Sequence, residues 1–266
     1  MKKGYVDIPQ GQVHYILSGK GDPLLLLHAS PLNSDAFIDL ISILDKYYKI
    51  IAMDTMGFGK SDDIPREYSI EDYAQTVIDF LNALHTRKTN IVGHATGSLI
   101  ALEVAARHPE LIDRLVLGNC PFYTQEEREE RLNDISTFPC KPFEIKEDGS
   151  HITEMWESRR KVFPKLSLIT CHKSVIMNLL AGTKANMPMT LLSYNMQQKM
   201  PLIKNPTLLV YGTEDIFYTK RKVTQSLIPD SKVEIVKGGD FYLIMEKTEE
   251  FGDAVLNFLN PAESGI

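Results

Sequence analysis

Short apolar runs alternate with stretches of helical periodicity at both ends of the chain. The run Leu24–Leu27 is apolar throughout, as expected for a strand that is buried on both faces of a parallel sheet. Residues 70–84 instead place apolar side chains at helical spacing. Two opening strands, residues 4–8 and 13–17, are joined by a short polar turn. This alternation predicts βα units that build a mostly parallel sheet.

The same reading divides the chain into a core and an insertion. We predict further strands over 48–53, 90–92, 115–117, 208–211 and 233–236, and further helices from 34, over 97–106, near 222–227 and over 248–259. Between about residues 121 and 205 the rhythm stops, and the sequence becomes polar and helical in pattern. The expected organisation is therefore a core of residues 1–120 and 206–266, with residues 121–205 as a helical cap.

Composition and charge argue against several classes of function. The chain has 266 residues, of which 43% are hydrophobic, and a net charge of -6 with both signs interleaved. The only tight basic cluster, residues 220–222, is too short to indicate nucleic-acid binding. No apolar run could span a bilayer, and no signal peptide is recognisable, so we expect a cytoplasmic protein without a membrane partner. Cys120, Cys140 and Cys171 fit no zinc or disulfide spacing, so neither metal nor cofactor is implied.

One turn carries most of the functional signal. The segment Gly93–Gly97 reads Gly-His-Ala-Thr-Gly and lies between a predicted strand and a predicted helix. Glycines two positions before and after Ala95 permit a strained central residue and a close approach of helix to strand. The central side chain is then expected to project above the sheet at a helix N-terminus, where free amides favour negative charge.

Four more segments follow predicted strands at the same edge of the sheet: His28–Pro31, Asp54–Ser61, Gly212–Asp215 and Gly238–Asp240. In this order and spacing, together with the turn Gly93–Gly97, which we call the elbow, they resemble the α/β-hydrolase superfamily, in the capped group that includes esterases, epoxide hydrolases and dehalogenases. The resemblance implies an eight-stranded, mostly parallel sheet with helices on both faces and a helical lid. It also implies a triad in the chain order nucleophile, acid, histidine.

Two positions depart from that pattern. Ala95 stands at the nucleophile position, and a methyl group can neither attack a carbonyl carbon nor donate a proton. Asp240 stands at the histidine position, so only Asp215 matches the usual triad. Ser98 is expected to point into the first helical turn, and Ser30 has no histidine assigned beside it, which disfavours a displaced serine nucleophile.

The histidines near the elbow have ordinary interpretations. His94 precedes the nucleophile position, where the superfamily often has histidine, and we expect it to be packed behind the elbow. His28 ends the third strand and is expected to brace the loop that follows. The backbone amides of Ser30 and Thr96 are expected to form an oxyanion site.

Three hypotheses about function remain open. The first is an enzyme that performs non-covalent acid–base chemistry on a small, largely apolar molecule, as a cyclase, lyase, isomerase or hydratase. Asp215 and Asp240 would then face each other as the acid–base pair. Repulsion between the two carboxylates would raise the pKa of one of them above its ordinary value. The second is a catalytically inactive protein that binds a ligand in the same pocket. The third is an esterase disabled by substitution at Ala95, although that substitution alone leaves Asp240 unexplained. The oligomeric state stays open.

Overall fold

The computed structural model describes residues 1–133, 143–181 and 187–260, with the side chains of residues 187 and 188 excepted. Its centre is one eight-stranded sheet. The strands are β1 (Lys2–Ile8), β2 (Gly11–Ser18), β3 (Pro23–Leu27), β4 (Lys49–Met53), β5 (Thr89–His94), β6 (Ile112–Gly118), β7 (Thr207–Gly212) and β8 (Ser231–Val236). Their order across the sheet is β1-β2-β4-β3-β5-β6-β7-β8.

The pairing directions confirm the predicted sheet. β1 and β2 form the expected hairpin, and β2 also runs antiparallel to β4. All the remaining pairs are parallel. In the centre, Leu25 of β3 pairs with Ile51 of β4 on one side and with Ile91 of β5 on the other. Every predicted strand is present, with ends that differ by a few residues.

Eleven helices are described. They are α1 (Ile38–Leu44), α2 (Ile70–Ala83), α3 (Thr96–Arg107), α4 (Gln125–Asn133), α5 (Ser150–Val162), α6 (Leu168–Ala181), α7 (Met187–Ser193), α8 (Met196–Lys199), α9 (Arg221–Leu227), α10 (Leu243–Glu246) and α11 (Thr248–Leu259). The helix predicted from residue 34 begins as a 3-10 turn capped by Asn33 and becomes α-helical at Ile38. A capping box between Ser69 and Asp72 fixes the start of α2.

Helices cover both faces of the sheet, which explains the unbroken apolar strands. Leu25 and Leu27 pack with α2 and α3, whereas their neighbours Leu24 and Leu26 pack with α1 and α11. Because successive strand residues point to opposite faces, a strand covered on both sides needs apolar residues at every position. The continuous leucine run is the direct result.

Helices α4 to α8 lie between β6 and β7, in the segment predicted as a cap. The core and cap boundaries at residues 121 and 205 stay a prediction. A buried polar contact joins this segment to the core: Glu103 of α3 accepts hydrogen bonds from the Tyr194 hydroxyl at 2.8 Å and from the Lys199 ammonium at 2.9 Å.

Cys120 and Cys171 are buried free thiols, and Cys140 lies outside the described residues. Within the described ranges, no helix is both long and apolar enough to cross a bilayer.

Candidate functional site

The tight turn after β5 has a strained centre. Ala95 adopts φ 48° and ψ -111°, a left-handed conformation that a residue with a side chain rarely takes. A Cβ on Gly93 would overlap the carbonyl oxygen of Gly97, and a Cβ on Gly97 would overlap that of Leu27. The two glycines therefore let β5, α3 and the end of β3 approach closely, as the sequence predicted.

Hydrogen bonds fix the elbow from below. The Ala95 amide donates to the carbonyl oxygen of Gly118 at 2.8 Å. The Ser98 hydroxyl lies 2.9 Å from the carbonyl oxygen of Gly93 and 3.0 Å from that of Gly118, and its side chain is fully buried. Because this hydroxyl faces carbonyl groups of the sheet, Ser98 has the inward orientation expected of it.

Two backbone amides near the elbow have no acceptor among the residues that the structure describes. Thr96 opens α3, and Ser30 lies in the loop after β3; both residues are buried. Among the described residues, neither backbone N–H donates a hydrogen bond. Gly97 packs against the backbone of Leu27 and His28, so the loop of Ser30 and the start of α3 lie side by side. Unsatisfied buried amides at a helix N-terminus are suited to an anionic or carbonyl oxygen.

His28 braces the loop that carries Ser30. Its Nε2 accepts a hydrogen bond from the Thr55 amide at 3.1 Å, which leaves Nδ1 to donate to the Ala29 carbonyl oxygen at 3.0 Å. Burial lowers the pKa of His28, although the charge of Asp54 acts in the opposite direction. A neutral, doubly hydrogen-bonded imidazole agrees with the bracing role.

His94 is packed behind the elbow and is fully buried. Neither ring nitrogen has a hydrogen-bond partner among the described residues, and the ring centroid lies 5.8 Å from that of Phe241. Burial lowers the pKa of His94 to about 3, and the nearby His28 adds to the effect. The side chain is therefore neutral at ordinary pH.

Asp215 follows β7 and is 7% exposed. One carboxylate oxygen accepts a hydrogen bond from the Phe217 amide at 2.8 Å. Burial, with a smaller contribution from the charge of Asp240, raises the pKa of Asp215 to about 7, although the hydrogen bond from the Phe217 amide acts in the opposite direction. This carboxyl group can therefore hold or release a proton near neutral pH.

Asp240 follows β8, and its carboxylate accepts a hydrogen bond from the Tyr242 amide at 2.7 Å. Burial raises the pKa of Asp240, with contributions from the charges of Glu246 and Glu214. The two aspartates do not share a direct hydrogen bond; the coupling between them is electrostatic.

The loops that carry the two aspartates are tied together. A Cβ on Gly212 would overlap the carbonyl oxygen of Gly239, and the Glu214 amide donates to that oxygen at 2.9 Å. Asn119, which follows β6, also joins the two loops by hydrogen bonds. Its Nδ2 donates to the Asp240 carbonyl oxygen at 2.7 Å, and its Oδ1 accepts from the Gly212 amide at 3.0 Å.

Sequence reasoning missed Asn119, which is fully buried and adopts φ 44°. It also missed Tyr123, whose ring centroid lies 5.2 Å from that of Phe217, beside Asp215. Burial raises the pKa of Tyr123 to about 12, and the charge of Asp215 adds to this. The phenol is therefore protonated at neutral pH. The available signal was the position of both residues in the segment between the end of β6 and the start of α4.

Curated relatives include several proteins with hydrolase names. A family model described as alpha/beta hydrolase fold matches residues 22–139. RutD of Agrobacterium fabrum is 25% identical over 276 residues, which cover 94% of this chain and 99% of RutD. Haloalkane dehalogenase 2 of Mycobacterium tuberculosis is 24% identical over 233 residues, 84% of this chain and 82% of that protein. The (E)-2-((N-methylformamido)methylene)succinate hydrolase of Acinetobacter baylyi is 30% identical over 106 residues, only 40% of either chain.

Solved structures have the same architecture. A hydrolase from Pseudomonas aeruginosa superposes with a TM-score of 0.81 at 18% identity, over 97% of this chain and 98% of that one. An E-2-(acetamidomethylene)succinate hydrolase superposes with a TM-score of 0.78 at 22% identity, over 97% and 99%. The sheet, the two helical layers and these matches define the α/β-hydrolase fold. The family-model match over residues 22–139 and these relatives support a place for the chain in the α/β-hydrolase superfamily.

Proposed function

We propose that this chain is an enzyme that performs non-covalent acid–base chemistry on a small molecule bound between the elbow and the two aspartates. The observation that carries the proposal is the combination of a methyl group at the centre of the elbow with two buried carboxyl groups at the ends of β7 and β8. Ala95 offers no nucleophile, whereas carboxyl groups with raised pKa values are suited to proton transfer.

The two aspartates differ in burial and in neighbouring charge, and we assign their roles from these differences. Asp215 is the more deeply buried, and its pKa of about 7 makes it the group that exchanges a proton at neutral pH. Asp240 is half-buried and lies beside two further carboxylates. Two acids in different surroundings provide an acid and a base without a covalent intermediate.

The unpaired amides of Ser30 and Thr96 would hold a substrate oxygen. When a proton leaves the carbon next to a carbonyl group, negative charge develops on the carbonyl oxygen. Hydrogen-bond donors such as these two amides stabilise that charge. This arrangement supports isomerase, lyase, cyclase or hydratase chemistry at a carbon next to a carbonyl group. Relatives with hydrolase names agree best with water addition, in which Asp215 would accept a proton from the attacking water.

A titration of the carboxyl carbons by NMR tests the proposal. We expect Asp215 to titrate near pH 7 and Asp240 to titrate above its ordinary range. Replacement Asp240→Asn removes a neighbouring negative charge and is expected to lower the pKa of Asp215. The matched control is Glu214→Gln, because Glu214 acts on Asp240 instead and should leave the Asp215 titration in place. Two ordinary, independent pKa values would argue for a ligand-binding protein without this chemistry.

A gain-of-function variant tests the disabled-esterase alternative. The double replacement Ala95→Ser with Asp240→His restores the residue types of a standard triad beside Asp215. If the site is a decayed esterase, this variant should hydrolyse short p-nitrophenyl esters, and each single variant should not. Absence of any gain, in a variant that melts like the original chain, supports the acid–base proposal over a lost esterase.

A further inference from the structure

A buried cation lies where the cap meets the core. Arg159 of α5 is only 6% exposed. Its guanidinium donates one hydrogen bond, to the Tyr242 hydroxyl at 2.7 Å, and lies 5.9 Å from the centre of the Tyr242 ring. Arg159 thus uses one of several N–H donors, and no other acceptor meets it within the described part of the chain.

In the described part of the chain, no ion pair balances the charge of Arg159. Within the described ranges, no carboxylate lies within 4.0 Å of the Arg159 guanidinium. The nearby Cys171 does not supply one, because burial raises the pKa of its thiol despite the opposing charges of Arg159 and Arg160. Glu246, the acid at the end of α10, accepts a hydrogen bond from the Ser167 hydroxyl at 2.6 Å.

The surroundings of Arg159 are aromatic and apolar. Phe163 directly follows α5, and its ring centroid is 5.1 Å from that of Tyr242 and 6.1 Å from that of Phe241. Because Arg159 is only 6% exposed, water and salt would screen an ion pair made by its guanidinium much less than a surface pair. The planar N–H pattern of arginine matches the two oxygens of a carboxylate.

We propose that Arg159 binds a carboxylate group of the ligand, so that the substrate is a small organic acid. Tyr242 connects this subsite to the candidate active site, because its hydroxyl accepts from Arg159 while its backbone amide donates to the carboxylate of Asp240. The ligand would therefore place its carboxylate on the cap side of Tyr242 and its reacting carbon near Asp240. This inference rests on the proposed function for the position of the reacting carbon, but the binding step does not.

Isothermal titration calorimetry with succinate tests the subsite without any turnover. Succinate should bind the original chain, and its diamide, succinamide, should not. Replacement Arg159→Gln is expected to weaken succinate binding by about tenfold or more, because it removes the charged half of the pair. Lys161→Gln is the matched control, since it removes the same charge from an exposed position on the same helix and should change the affinity by no more than about twofold.

Two further variants separate binding from folding. Arg159→Lys keeps the charge but loses the planar donor pattern, and should bind succinate with intermediate affinity. Tyr242→Phe removes the hydroxyl partner and should leave succinate binding measurable. If Arg159 has only a structural role, Arg159→Gln lowers the melting temperature while succinate fails to raise that of the original chain, and the proposal is wrong.

Three results would overturn the carboxylate assignment: no succinate binding by the original chain, equal binding by Arg159→Gln, or inorganic phosphate binding as tightly as succinate. None of them depends on the titration of Asp215. The organic-acid subsite and the acid–base chemistry can therefore fail separately.

Discussion

At the residue scale, Ala95 carries a backbone conformation that suits glycine better than alanine. A side chain held at positive φ costs on the order of 1 kcal/mol or more. We expect Ala95→Gly to raise the free energy of unfolding by about 1 kcal/mol, which corresponds to a melting temperature about 2–4 °C higher for a chain of this size.

The control for that prediction is the same chemical change at a regular helical position. Ala101 lies within α3 and is fully buried. Ala101→Gly should lower the free energy of unfolding by about 1 kcal/mol or more, because glycine disfavours helix and the buried methyl group is lost. Urea denaturation of both variants measures the two effects, and a loss of stability in Ala95→Gly would contradict the strain at the elbow.

The buried carboxyl group of Asp215 should make stability depend on pH. Its pKa in the fold is about 7, above the ordinary value of 3.8, so the native state holds this proton more tightly than the unfolded chain. The resulting stabilisation is fully present below about pH 4 and is lost as the pH rises through about 7.

Replacement Asp215→Asn removes this dependence. Relative to the variant, the free energy of unfolding of the original chain should fall by roughly 3–4 kcal/mol between about pH 4 and pH 8. Chemical denaturation of both proteins across that range measures the difference. Parallel pH profiles would show that Asp215 titrates normally.

At the scale of elements, the strand-to-helix turn depends on the absence of a side chain at Gly97. A Cβ there would overlap the carbonyl oxygen of Leu27, so β3 and α3 would have to separate. We expect Gly97→Ala to cost about 3 kcal/mol or more, as overpacking against backbone does.

Gly149, before α5, provides the comparison. It has φ 73°, but a Cβ there would meet nothing within 4 Å. Gly149→Ala should therefore cost only about 1 kcal/mol, the conformational term alone. Equal losses in the two variants would mean that the close approach at Gly97 adds nothing to stability.

Local patterns predicted the elements well because each one depends on neighbours in sequence. The leucine run of β3, the periodicity of α2 and the spacing of Gly93 and Gly97 each state a local requirement of the fold. Asn119 could not be predicted in this way. Its hydrogen bond to Asp240 joins positions 121 residues apart, and nothing near Asn119 in the sequence indicates that partner.

In the candidate site, too, local features could be predicted from the sequence and contacts between distant residues could not. The positions of Ala95, Asp215 and Asp240 could be predicted because each follows a recognisable strand. The raised pKa of Asp215 depends on burial and on a charge from a different loop, so only the assembled fold provides it. Arg159 was missed because a polar helix such as α5 gives no sign that one of its cations is buried against Tyr242.

At the scale of the whole molecule, a buried carboxylate takes part in an ionic contact between the inserted helices and the core. Glu103 is 1% exposed and pairs with Lys199 and Tyr194. Lys199→Met removes the balancing charge and should cost about 3 kcal/mol or more, because the carboxylate stays buried without its cation. Thermal denaturation measures the loss.

The double variant Glu103→Gln with Lys199→Met should recover much of that stability, since no buried charge is left unpaired. A double variant as unstable as Lys199→Met would show that the lysine acts through its packing alone. The contrast between the two variants measures how far this contact attaches the insertion to α3.

The methyl group of Ala95 has a further consequence for how such proteins are detected. Fluorophosphonate probes find α/β-hydrolases by forming a covalent bond with an activated serine. Ala95 presents no oxygen to such a probe, and the Ser98 hydroxyl is engaged with two carbonyl oxygens of the sheet. We expect the chain to escape covalent labelling, so a proteomic survey based on these probes would overlook a hydrolase fold that is completely assembled.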